Sequence, residues 1–172
     1  MPLLDPYIQE FGNAVLVSKG YPASAWICKG YGDKLKRAFD RWHITSTDLH
    51  PASFPLLRCL ITRKFSHGVA FHGFLKRPGQ ADVYIGGGAS KYLKREIKNA
   101  LVALSLPIKL RLRRRLTVRK FQGLSPDNLI NRLAAQGIHI EQSAEAREFR
   151  EEIAKAIVTV YQSAGGGYPV HG

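Results

Sequence analysis

Apolar residues recur along this chain at two spacings, and the switching between them predicts strands alternating with helices. Ile8 to Val17 carries a weak helical pattern, and Ser24 to Lys29 (SAWICK) is a β-rich apolar run that ends at Gly30. From Pro51 to Phe65 the pattern is helical, with Leu56, Leu57, Leu60 and Ile61 predicted on one face and Pro55 confined to the first turn. His67 to His72 (HGVAFH) predicts a strand stopped by Gly73, and Asp82 to Ile85 a short one stopped by Gly86, Gly87 and Gly88. The clearest helix follows: Ser90 is its cap, and Leu93, Ile97, Ala100, Leu101 and Leu104 fall at three- and four-residue spacing.

Ile108 to Arg114 (IKLRLRR) alternates apolar with basic, the pattern of a half-buried strand with one wet, positive face. Ser125-Pro126-Asp127 predicts a helix start, with a capping hydroxyl, proline at the first helical position and an acid near the positive end of the dipole. That helix is expected to end at Gly137, where GIHIE predicts a strand reaching Glu141. Phe149, Ile153, Ala156, Ile157 and Val160 predict a C-terminal amphipathic helix. Such alternation implies an α/β protein of three layers, a largely parallel or mixed sheet flanked by helices. A single domain is expected over residues 1–163, followed by a flexible tail over 164–172, since AGGGYPVHG has nothing to pack.

Composition changes the picture mainly through charge. The 172 residues hold 26 Lys and Arg against 13 acids, a formal charge of +13, so polyanions are drawn to the surface whatever the fold beneath. Lys109, Arg111, Arg113, Arg114, Arg115, Arg119 and Lys120 crowd one stretch. They read either as a solvated strand face or as a track for phosphates or carboxylates, which Arg grips through paired N–H donors. Arg111, Arg113 and Arg115 are the candidate polyanion-binding residues, and Asn131-Arg132 forms a second candidate anion clamp.

The two cysteines, Cys28 and Cys59, are far apart and each lies in an apolar run, so buried, reduced thiols are expected rather than a disulfide or a Cys-rich zinc site. The first residues carry no basic stretch leading into an apolar one, and no apolar run reaches membrane-spanning length. A cytoplasmic protein without a membrane partner, and a monomer, is the expectation. No GxSxG elbow marks a serine hydrolase, and neither cysteine has a nucleophile's setting. The glycines at 86–88 lack a P-loop pattern and read as a turn.

In sheets of this kind functional groups gather at the carboxyl ends of strands. His72, next to Gly73, and Glu141, ahead of Gln142 and Ser143, both sit at such ends, and His43 lies in the polar stretch WHITSTD. An imidazole there can bind metal and a carboxylate can act as ligand or general base. His50, His67, His139 and His171 read as structural or incidental.

Five segments then share a source. WHITST (42–47), VAFHGF (69–74), VYIGG (83–87), GLSPDNLINR (123–132) and GIHIEQS (137–143) occur in the order found in the poly-γ-glutamate hydrolases of phage and bacteria, also labelled phage-related replication proteins. From Ala25 onward the chain resembles that family. The resemblance implies a carboxypeptidase-like fold and a zinc-dependent amide hydrolase acting on poly-γ-glutamate or a similar anionic polymer. It further implies that His72 is a zinc ligand and Glu141 the general base. Asn131 and Arg132 would hold a substrate carboxylate, and His43 would line the site. The family's first metal motif, His-Gly-Gly with a nearby Glu, should precede the helix at Ile8. Gln9 and Glu10 stand about there without a histidine, so the resemblance implies either a true start further upstream that carries the motif or a shortened relative with a weakened or inactive zinc site. The alternative is a non-catalytic basic domain that binds polyanions. Nucleic acid is the less favoured target, because no helix-turn-helix, RNA-recognition or zinc-finger signature is present and no aromatics interleave with the basic run.

Overall fold

The computed structural model describes residues 24–26, 40, 43–112 and 122–165. The predicted helix at 8–17, most of the run at 24–29, Arg113, Arg115 and the tail beyond residue 165 lie outside the described residues. Four strands, β1 (Phe65–Gly73), β2 (Val83–Gly86), β3 (Leu110–Leu112) and β4 (Ala134–Gln142), form one sheet in the order β1-β4-β2-β3. The sheet is mixed. β1 runs parallel to β4 and β2 parallel to β3, while β2 and β4 are antiparallel.

Alternate residues divide the sheet into two faces. One face carries Val69, Phe71, Val83, Ile85, Leu110, Leu112, Ile138 and Ile140, and these form the main core with helices α2 (Lys91–Ala103) and α5 (Arg150–Gly165). α2 turns Leu93, Ile97 and Leu101 inward, and the Ser90 hydroxyl caps it by accepting from the Leu93 N–H at 3.1 Å. α5 contributes Ile153, Ala156 and Ile157 to the same core. Each fully buried Leu, Ile or Val side chain there adds about 1.5–3 kcal/mol by leaving water. The helical spacing read from the sequence is the spacing that packs.

The opposite face is built from small and polar residues: Gly68, Ala70 and His72 on β1, Gly137, His139 and Glu141 on β4, and Gly86 with Tyr84 on β2. Small side chains let the short helix α3 (Leu129–Leu133) lie close on the sheet. α3 in turn packs through Leu129 against Leu57 of α1 (Pro55–Ile61) and against Leu49. Helices thus cover both faces, in three layers. One further short helix, α4 (Ala144–Arg147), follows β4 and is capped by Ser143.

Two sequence expectations need correction here. The helix predicted from Ser125 to Gly137 is only Leu129–Leu133, capped by the Asn128 side chain. Its helix-prone continuation Ala134-Ala135-Gln136 is instead extended, because Ala134 and Gln136 pair with Phe65 and His67. Tertiary pairing overrides local propensity there. On α1 only Leu57 is buried; Leu56 is 77% exposed and Cys59 is exposed, not sealed in a core. A helix of two turns presents one narrow stripe, and Cys59, two residues past Leu57, falls on its far side. Among the described residues, no helix is long and apolar enough to cross a membrane.

Candidate active site

β1 and β4 are parallel neighbours, so their carboxyl ends lie at one edge of the molecule. Their register pairs His72 with Glu141. Residues so paired point to the same side of a sheet. The antiparallel partner extends the row, since Tyr84 pairs with Glu141, and Arg111 on β3 pairs with Tyr84. His72, Glu141, Tyr84 and Arg111 therefore form one lateral row on the polar face. Tyr84 is buried and Arg111, on the outermost described strand, is exposed.

His139, two residues before Glu141 on β4, shares that face. Its Nε2 lies 2.9 Å from Glu141 Oε1, and both side chains are buried. The ring of His72 stacks on the ring of His139 with centroids 4.3 Å apart and planes 23° from parallel. The other nitrogen of His139, Nδ1, is buried and has no hydrogen-bond partner among the described residues. The Nε2–H tautomer satisfies this arrangement, donating to the carboxylate and leaving only a lone pair at Nδ1. The opposite tautomer would bury an unmatched N–H, at a cost of about 1–3 kcal/mol.

His72 is half-buried, and its pKa is pushed down to about 3, first by burial and then by His139 and His43. It is therefore a neutral imidazole across the ordinary pH range. The stretch His43–Asp48 runs beside it. His43 is exposed, and Ser46 Oγ stands 3.5 Å from His72 Nε2. The Ser46 carbonyl also accepts from the Leu129 N–H at 3.0 Å, which ties this stretch to the start of α3.

The segment before α3 closes over His139. Gly123 has φ +58, and a Cβ there would meet the His139 Cβ at 2.6 Å, so no side chain fits. Asn131 holds the segment down: its Nδ2 donates to the carbonyls of Gly123 and Ser125 at 2.7 and 2.8 Å, and its Oδ1 accepts from the Gly88 N–H at 2.8 Å. Its neighbour Arg132 sends Nη1 to the Leu49 carbonyl at 3.3 Å. Asn131 is thus bonded to backbone through both of its amide atoms, while Arg132 keeps further guanidinium donors beyond that contact.

His72, Glu141 and His43 come together at one end of the sheet. His139 completes the cluster, although it read from sequence as incidental. The signal that could have found it is the two-residue period of a strand, which sends residues 139 and 141 to one face. Zinc is the cofactor the family resemblance implies, and the described residues do not fit it on their own. No group of three or more His, Cys, Asp or Glu side chains among them is arranged to hold a metal ion. The stacked rings of His72 and His139 lie nearly parallel rather than converging, and Glu141 already engages His139.

An open mixed sheet with helices on both faces, and polar groups at the carboxyl ends of two parallel neighbours, makes a three-layer α/β fold, consistent with the carboxypeptidase-like expectation. The zinc-free apo form of YndL shares it, with a TM-score of 0.59 at 16% identity over 91% of this chain and 77% of that one. The family described as poly-gamma-glutamate hydrolase matches residues 14–160, and the chain belongs to that family. No curated protein sequence matches it.

Proposed function

We propose that this protein hydrolyses γ-linked glutamyl amide bonds, with Glu141 as the group that moves the proton. The observation that carries the reading is the His72–Glu141 register at the carboxyl ends of adjacent parallel strands, in a chain of this family. One oxygen of Glu141 is engaged by His139. The other can take a proton from a water attacking the amide carbonyl and return it to the departing amine as the C–N bond breaks. Arg132 supplies guanidinium donors for a substrate carboxylate, and Asn131 supports that contact by bracing the loops around it. His43 lines the mouth, and Arg111 extends the positive rim along the same row.

Zinc enters this reading only with ligands beyond the described residues, and His72 would be one member of such a set. Poly-γ-glutamate is a polycarboxylate, and the +13 charge suits its capture. The test follows the length of poly-γ-glutamate chains incubated with the protein in zinc-containing buffer. Shorter γ-glutamyl chains are expected, with E141Q slower by about 10²- to 10⁴-fold. Equal rates for E141Q and wild type would remove Glu141 from the chemistry. The same charge supports a second reading, a polyanion-binding domain without turnover.

A further inference from the structure

Resting on the hydrolase reading, we infer that His139 is a positioning residue that aims the Glu141 carboxylate. Three contacts fix its ring. Nε2 bonds Glu141 Oε1 at 2.9 Å, the ring face stacks on His72 at 4.3 Å, and the backbone of Gly123 packs so closely against it that a Cβ would come within 3.1 Å of Nδ1. A histidine restrained on these sides cannot swing away, and the carboxylate it holds cannot rotate without breaking the bond. One oxygen is pinned and the other is left pointing where a proton can be taken up or delivered.

The geometry also says which atom matters. Only Nε2 reaches the carboxylate, while Nδ1 is buried and unpartnered among the described residues. A glutamine at this position carries its amide nitrogen about where Nε2 lies, whereas an asparagine carries it about where Nδ1 lies. The two amides therefore separate positioning from mere occupancy of the space.

The experiment measures kcat and KM on γ-linked oligoglutamate for wild type, H139Q and H139N, with thermal unfolding to confirm that each folds. H139N is expected to lose about 100-fold in kcat, the cost of a misplaced group, with KM nearly unchanged. H139Q is expected to recover most of that loss. Two folded variants with kcat equal to wild type would overturn the inference while leaving the hydrolase reading intact. A second readout needs no turnover: long-range ¹H–¹⁵N spectra of the whole chain report the tautomer. An Nε2–H tautomer whose shift moves in E141A supports the pairing. An Nδ1–H tautomer, or a shift indifferent to E141A, overturns it. Should the wild type cleave nothing, the hydrolase reading fails, and these spectra alone decide whether His139 holds the carboxylate.

Discussion

His72 buries an imidazole beside two others, and that has a thermodynamic consequence at the scale of one residue. Unfolded, its ring takes up a proton near the ordinary value of 6.5, whereas folded it does so only near 3. Between those values the unfolded chain holds the extra proton, so acid favours unfolding. This contribution to stability is fully present above pH 6.5 and is lost as pH falls toward 3, by up to about 1.4 kcal/mol per pH unit. Urea unfolding across that range, with chelator present, should show the slope, and H72N should lack most of it. An identical slope in H72N would place the titration elsewhere. His72 and Glu141 were legible in the sequence because each closes an apolar strand run next to a turn residue or polar pair. His139 was not, because its value depends on a partner two positions along the same strand and on a ring contributed by another strand.

At the scale of elements, α3 is too short to stand alone. Five residues give barely a turn, well below what an isolated helix needs in water. What holds it is Leu129, packed with Leu49 and Leu57, and the Asn131 amide, which laces the segment at 123–125 and the turn at Gly88 into one unit. N131A deletes these bonds and leaves backbone groups unmatched, so a loss of about 2–4 kcal/mol in unfolding free energy is expected. Denaturation that leaves stability unchanged would mean the lacing is incidental. α2 was readable from sequence to within a residue because cap, period and burial all agree on Ser90 to Ala103. The stretch around 125–137 predicts a longer helix than forms, because its local signals favour helix while the outcome is set by pairing with β1, a segment distant in sequence. β3 begins at Leu110 rather than at Ile108, where its alternating pattern starts, and the described part of the strand runs to Leu112; Arg113 and the basic residues after it lie outside the described residues.

Across the whole molecule, the fold and the charge both bear on the proposed site. The mixed sheet brings two parallel carboxyl ends together, and the row from His72 to Arg111 runs from an uncharged imidazole toward exposed positive charge. Capture of a polycarboxylate by a +13 protein is screened by salt. Binding of poly-γ-glutamate to E141Q is therefore expected to weaken on the order of tenfold or more between 50 and 200 mM salt. Salt-independent binding would shift recognition from charge to shape.

The most direct test of the account is single-turnover hydrolysis of a defined γ-linked oligoglutamate by wild type and E141Q, with binding measured in parallel. The wild type is expected to cleave the amide, and E141Q to bind the oligomer equally well but scarcely cut it. Cleavage by E141Q at the wild-type rate would contradict that expectation.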